Sequence, residues 1–143
     1  MIIPDTNLLL YATVDAFPQH DRVRAWWEAT LSGRDSVGLA PVVTTAFMRL
    51  ATTSAVFVDP MEVEQAISHV EQWCDRPMVR VLTSDARHLA ATLALIRQIG
   101  TAGNLTTDAQ IAAHALLEDA VVATNDADFG RFPDIRTANP LHG

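Results

Sequence analysis

Short apolar runs that alternate with helix-patterned stretches constrain this chain's fold more than any other feature, and acidic residues stand where several of those runs give out. Met1–Ile3, Ser36–Leu39, Val79–Leu82, Val121–Ala123 and Ile135–Ala138 are predicted strands, the first stopped by Pro4 and the last the weakest. Helical spacing fills the gaps. Asn7–Ala12 reads as one apolar helix. Val23, Trp26, Trp27, Thr30 and Leu31 mark a second, and Pro41 leads into a third through Phe47, Met48 and Leu50. Asp59-Pro60-Met61-Glu62 predicts a helix start, with Asp at the cap, Pro at the first position and Glu at the third. The stripe Val63, Ala66, Ile67, Val70, Trp73, Cys74 that follows predicts one buried face. Thr83 or Ser84 is expected to cap a long helix that carries Leu89, Leu93 and Ile96 and ends near Gly100. Thr107 with Gln110 forms a capping box for the next. Strands alternating with helices call for an α/β fold with a short parallel sheet covered on both faces.

In such sheets ligands bind in the crevice outside the carboxyl ends of the strands. Asp5 closes the opening run in M-I-I-P-D-T-N, Asp108 opens a helix in L-T-T-D-A-Q-I-A-A-H-A, and Asp126 and Asp128 follow the apolar stretch A-V-V-A-T. Taken singly, each has an ordinary explanation: a helix cap, a first-turn acid favoured by the helix dipole, or a loop residue. Together they bring acids from three segments to one sheet edge. At about 4 Å and an effective dielectric near 20, a like-charge pair costs roughly 4 kcal/mol. A cation relieves that repulsion, and hard oxygen ligands suit Mg²⁺ or Mn²⁺. Thr6, Asn7, Thr124 and Asn125 are candidates to orient the carboxylates, or to serve only as local turn and cap groups.

At 143 residues, 49% of them apolar, the chain is expected to form a single domain over 1–143 with one real core. No apolar run is long enough for a membrane span, and no secretory signal is expected at the N-terminus. The lone Cys74 cannot form an internal disulfide, which fits a reducing cytoplasm, and its place on the apolar stripe predicts a buried structural thiol. A net charge of −7 alone argues against nucleic-acid binding, yet all ten basic residues are arginine, the side chain suited to bidentate phosphate contacts. Arg49, Arg87 and Arg131 lie nearest the candidate site segments. The five histidines lack metal-ligand spacing, so zinc is not expected. His114 is expected to be a packing or surface residue.

The segments I-I-P-D-T-N, N-L-T-T-D-A-Q-I-A-A-H-A and A-T-N-D-A-D-F-G-R-F-P, spaced almost end to end, resemble a PIN domain of the VapC toxin type. That resemblance implies a three-layer α/β/α nuclease fold and Mg²⁺- or Mn²⁺-dependent cleavage of RNA. It further implies homodimerisation and neutralisation by a cognate VapB-type antitoxin. Carried over by position, Asp5, Asp108 and Asp126 match the family's metal-site and catalytic acids, and Asp128 matches a second acid that is less regularly a ligand. One departure stands out. The family often has a glutamate in the helix after the second strand, and that position here is Ala46 in V-T-T-A-F-M-R. Asp128, or Glu28 if the fold brings it near, is the candidate replacement.

The expected activity is hydrolysis of RNA phosphodiester bonds, leaving a 5′-phosphate and a 3′-hydroxyl. Two alternatives stay open: a PIN-like module that grips RNA or an antitoxin without cutting, and a phosphatase using Asp126 and Asp128 as nucleophile and acid.

Overall fold

In the computed structural model, which describes residues 1–142, the chain forms a five-stranded parallel sheet flanked by six helices. The strands are β1 (Ile2–Pro4), β2 (Val37–Leu39), β3 (Val79–Val81), β4 (Val121–Ala123) and β5 (Arg136–Ala138). The helices are α1 (Thr6–Thr13), α2 (His20–Leu31), α3 (Pro41–Ala51), α4 (Val63–Cys74), α5 (Ala86–Ile99) and α6 (Thr106–Glu118). The strand order is β3-β2-β1-β4-β5. Ile2 pairs with Val37 on one side and Val121 on the other, so β1 is central. From β1 the chain first builds outward through β2 and β3, then crosses to β4 and β5. The order therefore reverses between β1 and β4, and their carboxyl ends flank the crevice where such sheets bind ligands.

Pro4 belongs to β1 rather than stopping it. The ladder resumes one residue later, where Asp5 N–H donates to the Ala123 carbonyl at 2.8 Å. Gly38 is closely covered by side chains: a Cβ there would lie 2.7 Å from Met1 Sδ and 2.9 Å from Leu82 Cδ1, so both would have to shift. The core takes Leu8, Leu9 and Leu10 from consecutive positions of α1, which is buried nearly all round. Phe47 of α3, Trp73 of α4 and Trp27 of α2 meet at ring separations of 5.1 Å (Phe47–Trp73) and 5.8 Å (Trp27–Trp73), locking three helices together. No helix among the described residues is long and apolar enough to cross a membrane.

Several local expectations are corrected. Helix α4 begins at Val63 with extended Glu62 as its cap, leaving Asp59 and Pro60 in the preceding loop. Met61 N–H donates to the Ala51 carbonyl at 2.9 Å, tying that segment to the end of α3 before the helix can start. Only Ala66 and Trp73 of the α4 stripe are fully buried, and Cys74, in the last turn, is exposed rather than a core thiol. Asp85, not Thr83 or Ser84, caps α5 by accepting from His88 N–H at 3.0 Å. Gly100 ends that helix in the left-handed region with φ 76°. Helix α6 starts at Thr106, continuing a 3-10 turn (Gly103–Leu105), so no Thr107 capping box forms. On α5, His88, Thr92 and Leu95 face inward while Leu89 and Leu93 are exposed.

Candidate metal and catalytic site

Each acid reaches the sheet edge by a different local device. Asp5 follows β1 directly and caps α1, its Oδ1 accepting from Thr6 N–H at 2.7 Å. Asp108 lies in the first turn of α6. Asp126 caps a 3-10 turn (Ala127–Arg131) after β4, its Oδ1 accepting from Asp128 N–H at 2.8 Å. The result is a convergence of Asp108, Asp126 and Asp128: one carboxylate oxygen from each lies within 4.8 Å of the others.

Asp5 is not one of those three, but its charge acts on the group. It is only 6% exposed, and its Oδ2 accepts the Thr124 hydroxyl at 2.8 Å. Burial pushes its carboxyl above the usual range. The Thr124 and Thr6 hydrogen bonds oppose that, and the neighbouring Asp126 charge adds to it. Asp108 is affected most. Burial, and then the charges of Asp126, Asp5 and Asp128, push its carboxyl up to about 7. A carboxylic acid with that pKa is poised to hold a proton at neutral pH or to give it up to a cation.

Thr124 joins the two halves of the site. Its hydroxyl donates to Asp5, and its oxygen accepts Asp126 N–H at 2.9 Å, while the residue is 4% exposed. Thr124 thus serves both as an orienting partner of Asp5 and as a local turn group. Asn125 instead accepts from Asn139 Nδ2 at 2.9 Å, tying the β4 loop to the end of β5. We expect Thr124→Val to lower RNA cleavage by roughly 10–100-fold, the usual cost of removing a partner that orients a ligand. The buried Asp5 oxygen left without its donor should cost about 1–3 kcal/mol. Cleavage kinetics and urea unfolding together check this, and parental values in both would remove Thr124 from the site.

Glu28 does not stand in for the missing acid. It is exposed, pairs with Arg24 at 3.0 Å on α2, and lines a groove with His69 and Trp73. Ala46 is half-buried on α3, a helix with no acidic residue. Arg49, Arg87 and Arg131 are all exposed.

His114 packs rather than facing solvent. Its ring stacks on His88 at 3.7 Å between centroids, and its Nε2 lies 3.3 Å from Ser84 Oγ. His88 Nε2–H donates to the Gln110 carbonyl at 2.8 Å. Burial first, and then His88, push the His114 pKa down to about 4. No spacing rule finds this pair, because its members lie on different helices.

A PIN domain family profile matches residues 2–135. Ribonuclease VapC33 of Mycobacterium tuberculosis is 44% identical over 141 residues, covering 99% of both chains. Ribonuclease VapC37 of the same organism is 37% identical over 140 residues, covering 98% of this chain and 97% of its own. The fold superposes on a chain of VapBC2 from Rickettsia felis, solved bound to a DNA fragment from its promoter, with a TM-score of 0.70. That match has 22% identity and covers 97% of this chain and 98% of the other.

Proposed function

We propose, from the premise that this chain belongs to the PIN-domain family as a ribonuclease of the VapC type, that Asp5, Asp108, Asp126 and Asp128 form its divalent-metal site and cut RNA there. The observation that carries this assignment is the approach of three carboxylate oxygens to within 4.8 Å, at the sheet's switch point, in a chain of this family. The donor set fits a hard divalent cation. It consists of carboxylates alone, it includes one acid pushed up to about 7 by burial and its neighbours, and it leaves Asp128 exposed at the opening. Mg²⁺ or Mn²⁺ would be held by Asp108, Asp126 and Asp128, with Asp5 close enough to add charge. When bound, the ion supplies Lewis acidity for the phosphate and for an attacking water.

The chain's own residues do the rest. Asp5 is pinned in place by Thr6 and Thr124. Asp108 takes up or releases a proton near neutral pH, and Asp126 is positioned by the Thr124 hydroxyl. The catalytic assignment is Asp5, Asp108 and Asp126. The toxin role follows the VapC relatives, and a small cognate VapB-type antitoxin is the proposed partner because the structural neighbour is a VapBC assembly. We further propose that the chain is a single domain that works in the cytoplasm as a homodimer.

Cleavage of a structured RNA by purified protein should vanish in EDTA and return with millimolar Mg²⁺ or Mn²⁺, while small phosphate esters stay intact. Undiminished cleavage in EDTA would refute the metal site, and ester hydrolysis would favour the phosphatase alternative. The non-cutting alternative rests on Ala46, and Asp128 addresses it. We expect Asp128→Asn to lose cleavage as severely as Asp126→Asn, and Ala46→Glu to add no more than a few-fold. Parental turnover in Asp128→Asn would show that Asp128 does not replace the missing glutamate.

A further inference from the structure

Helix α6 delivers Asp108 from its first turn, and that turn is weakly held at its start. Leu105, the residue before it, makes no side-chain cap, and the helix runs straight on from the 3-10 turn Gly103–Leu105. A helix start without a cap leaves its first N–H groups unpaired by side chains. The charges of Asp126, Asp5 and Asp128 act on Asp108 from outside the helix. The buried side of α6 carries Ala109, Ala112, Ala113 and Ala115, small residues that let a helix slide or turn on its neighbours. Among the described residues, one side-chain hydrogen bond from outside reaches the first two turns: His88 Nε2–H, on α5, donates to the Gln110 carbonyl at 2.8 Å.

His88 is itself held firmly. Its backbone N–H donates to Asp85 Oδ1 at 3.0 Å in the cap of α5, and its carbonyl accepts the Thr92 hydroxyl at 2.9 Å. Its ring is 5% exposed and stacks on His114 at 3.7 Å. A carbonyl only accepts, so this bond places the ring proton on Nε2. The link between the helices is short and directional, which alanine packing is not.

We propose that His88 is a positioning residue for the metal site: by holding the Gln110 carbonyl it fixes the height and rotation of the first turns of α6, and so sets the Asp108 carboxylate against Asp126 and Asp128. The inference rests on the ribonuclease site proposed above and extends it to a helix that carries none of its acids. The three carboxylate oxygens lie within 4.8 Å of one another, so a small shift of that turn changes the donor set. Groups that orient metal ligands contribute roughly 10–100-fold in affinity, and His88, acting through backbone, belongs at the lower end.

The test is calorimetric titration of the full chain with Mn²⁺, alongside RNA cleavage kinetics and circular dichroism. His88→Phe keeps a ring for the stack and removes the donor. It should bind Mn²⁺ about 10-fold more weakly and, at subsaturating Mn²⁺, lower kcat by about as much with KM for RNA unchanged. His88→Gln, whose amide nitrogen replaces Nε2, should recover most of both. In EDTA the Gln110–Ala113 amides should exchange about 10-fold faster in His88→Phe than in the parent. His88→Asn, too short to reach the carbonyl, makes the same comparisons if circular dichroism shows the phenylalanine variant unfolded. Leu95→Ala, on the same buried face of α5, should lower stability by opening a cavity yet keep parental Mn²⁺ affinity. Parental affinity in the folded donor-free variant would overturn the proposal. An equal loss in Leu95→Ala would also overturn it, by reducing the effect to stability alone. A parent that binds no Mn²⁺, or an Asp108→Asn variant that binds it as tightly, would overturn the metal site and the positioning role together. Binding by the parent that Asp108→Asn loses upholds the site, so a failure confined to His88 is read separately.

Discussion

Replacing Asp108 with asparagine is expected to abolish measurable RNA cleavage while making the metal-free protein more stable. Asp108 carries the most strongly raised carboxyl at the site, pushed up to about 7 by burial and by the charges of Asp126, Asp5 and Asp128. Asparagine would remove an anionic ligand of the proposed metal site, and the loss should exceed the roughly 100-fold at the upper end for partners that only orient ligands. Stability moves the other way. Raising a carboxyl by one pH unit makes its ionised form cost about 1.4 kcal/mol more in the folded state, so an ionised Asp108 costs at most about 4 kcal/mol above pH 7 when no cation is bound. Solvent screening at this half-buried group brings that closer to about 2 kcal/mol. The asparagine side chain carries no such cost, so urea midpoints at pH 8 in EDTA should rise. On the proposed assignment Mn²⁺ would bind only the folded parent's complete site, so excess Mn²⁺ should close the gap. A variant that is inactive but less stable than the parent in EDTA would mean that Asp108 is structural and that repulsion does not dominate the site.

Metal-free stability should also show two opposing pH slopes that nearly cancel in the parent. The Asp108 carboxyl is raised from 3.8 to about 7. Between those values the folded state holds a proton that the unfolded chain has released, so stability falls as pH rises. Asp5, raised mainly by burial, adds to that slope. His114 is lowered from 6.5 to about 4, because its ring is buried and stacked on His88. In that window the unfolded chain binds the extra proton, so stability rises with pH. That contribution reaches about 3 kcal/mol and is fully present only above pH 6.5. His69, lowered by burial, acts in the same sense. Asp108→Asn should therefore expose the histidine slope and lose about 3 kcal/mol on acidification through that window. His114→Gln should expose the carboxylate slope and gain stability on acidification. Chemical unfolding across that range in EDTA reads both, and identical profiles for all three proteins would show that neither group titrates as its surroundings require.

The expected architecture was largely legible in the sequence because it rests on short-range patterns. The apolar runs became β1 to β5 within a residue or two, and Asp5, Asp108, Asp126 and Asp128 stand beside the elements they were expected to flank. The expectations that failed depended on neighbours. Asp59 and Pro60 have every local property of a helix start, yet the Met61–Ala51 backbone bond claims that segment first. Thr107 and Gln110 spell a capping box, but the turn ending at Leu105 had already begun the helix.

By itself the sequence determined the alternation of strands and helices, the family, and the acids that end the runs, because each is written in residue types and their spacing. Only the tertiary structure decided how those pieces act on one another. It set Asp108, Asp126 and Asp128 within 4.8 Å and gave Asp5 a hydroxyl partner 119 residues away. It also turned α5 so that His88 and Thr92 are buried while Leu89 and Leu93 face solvent. A helix's period fixes which residues share a face, but its packing partner fixes which face is buried. Here α6 offers a histidine ring and a backbone carbonyl, and the side that can stack and donate is the side it takes.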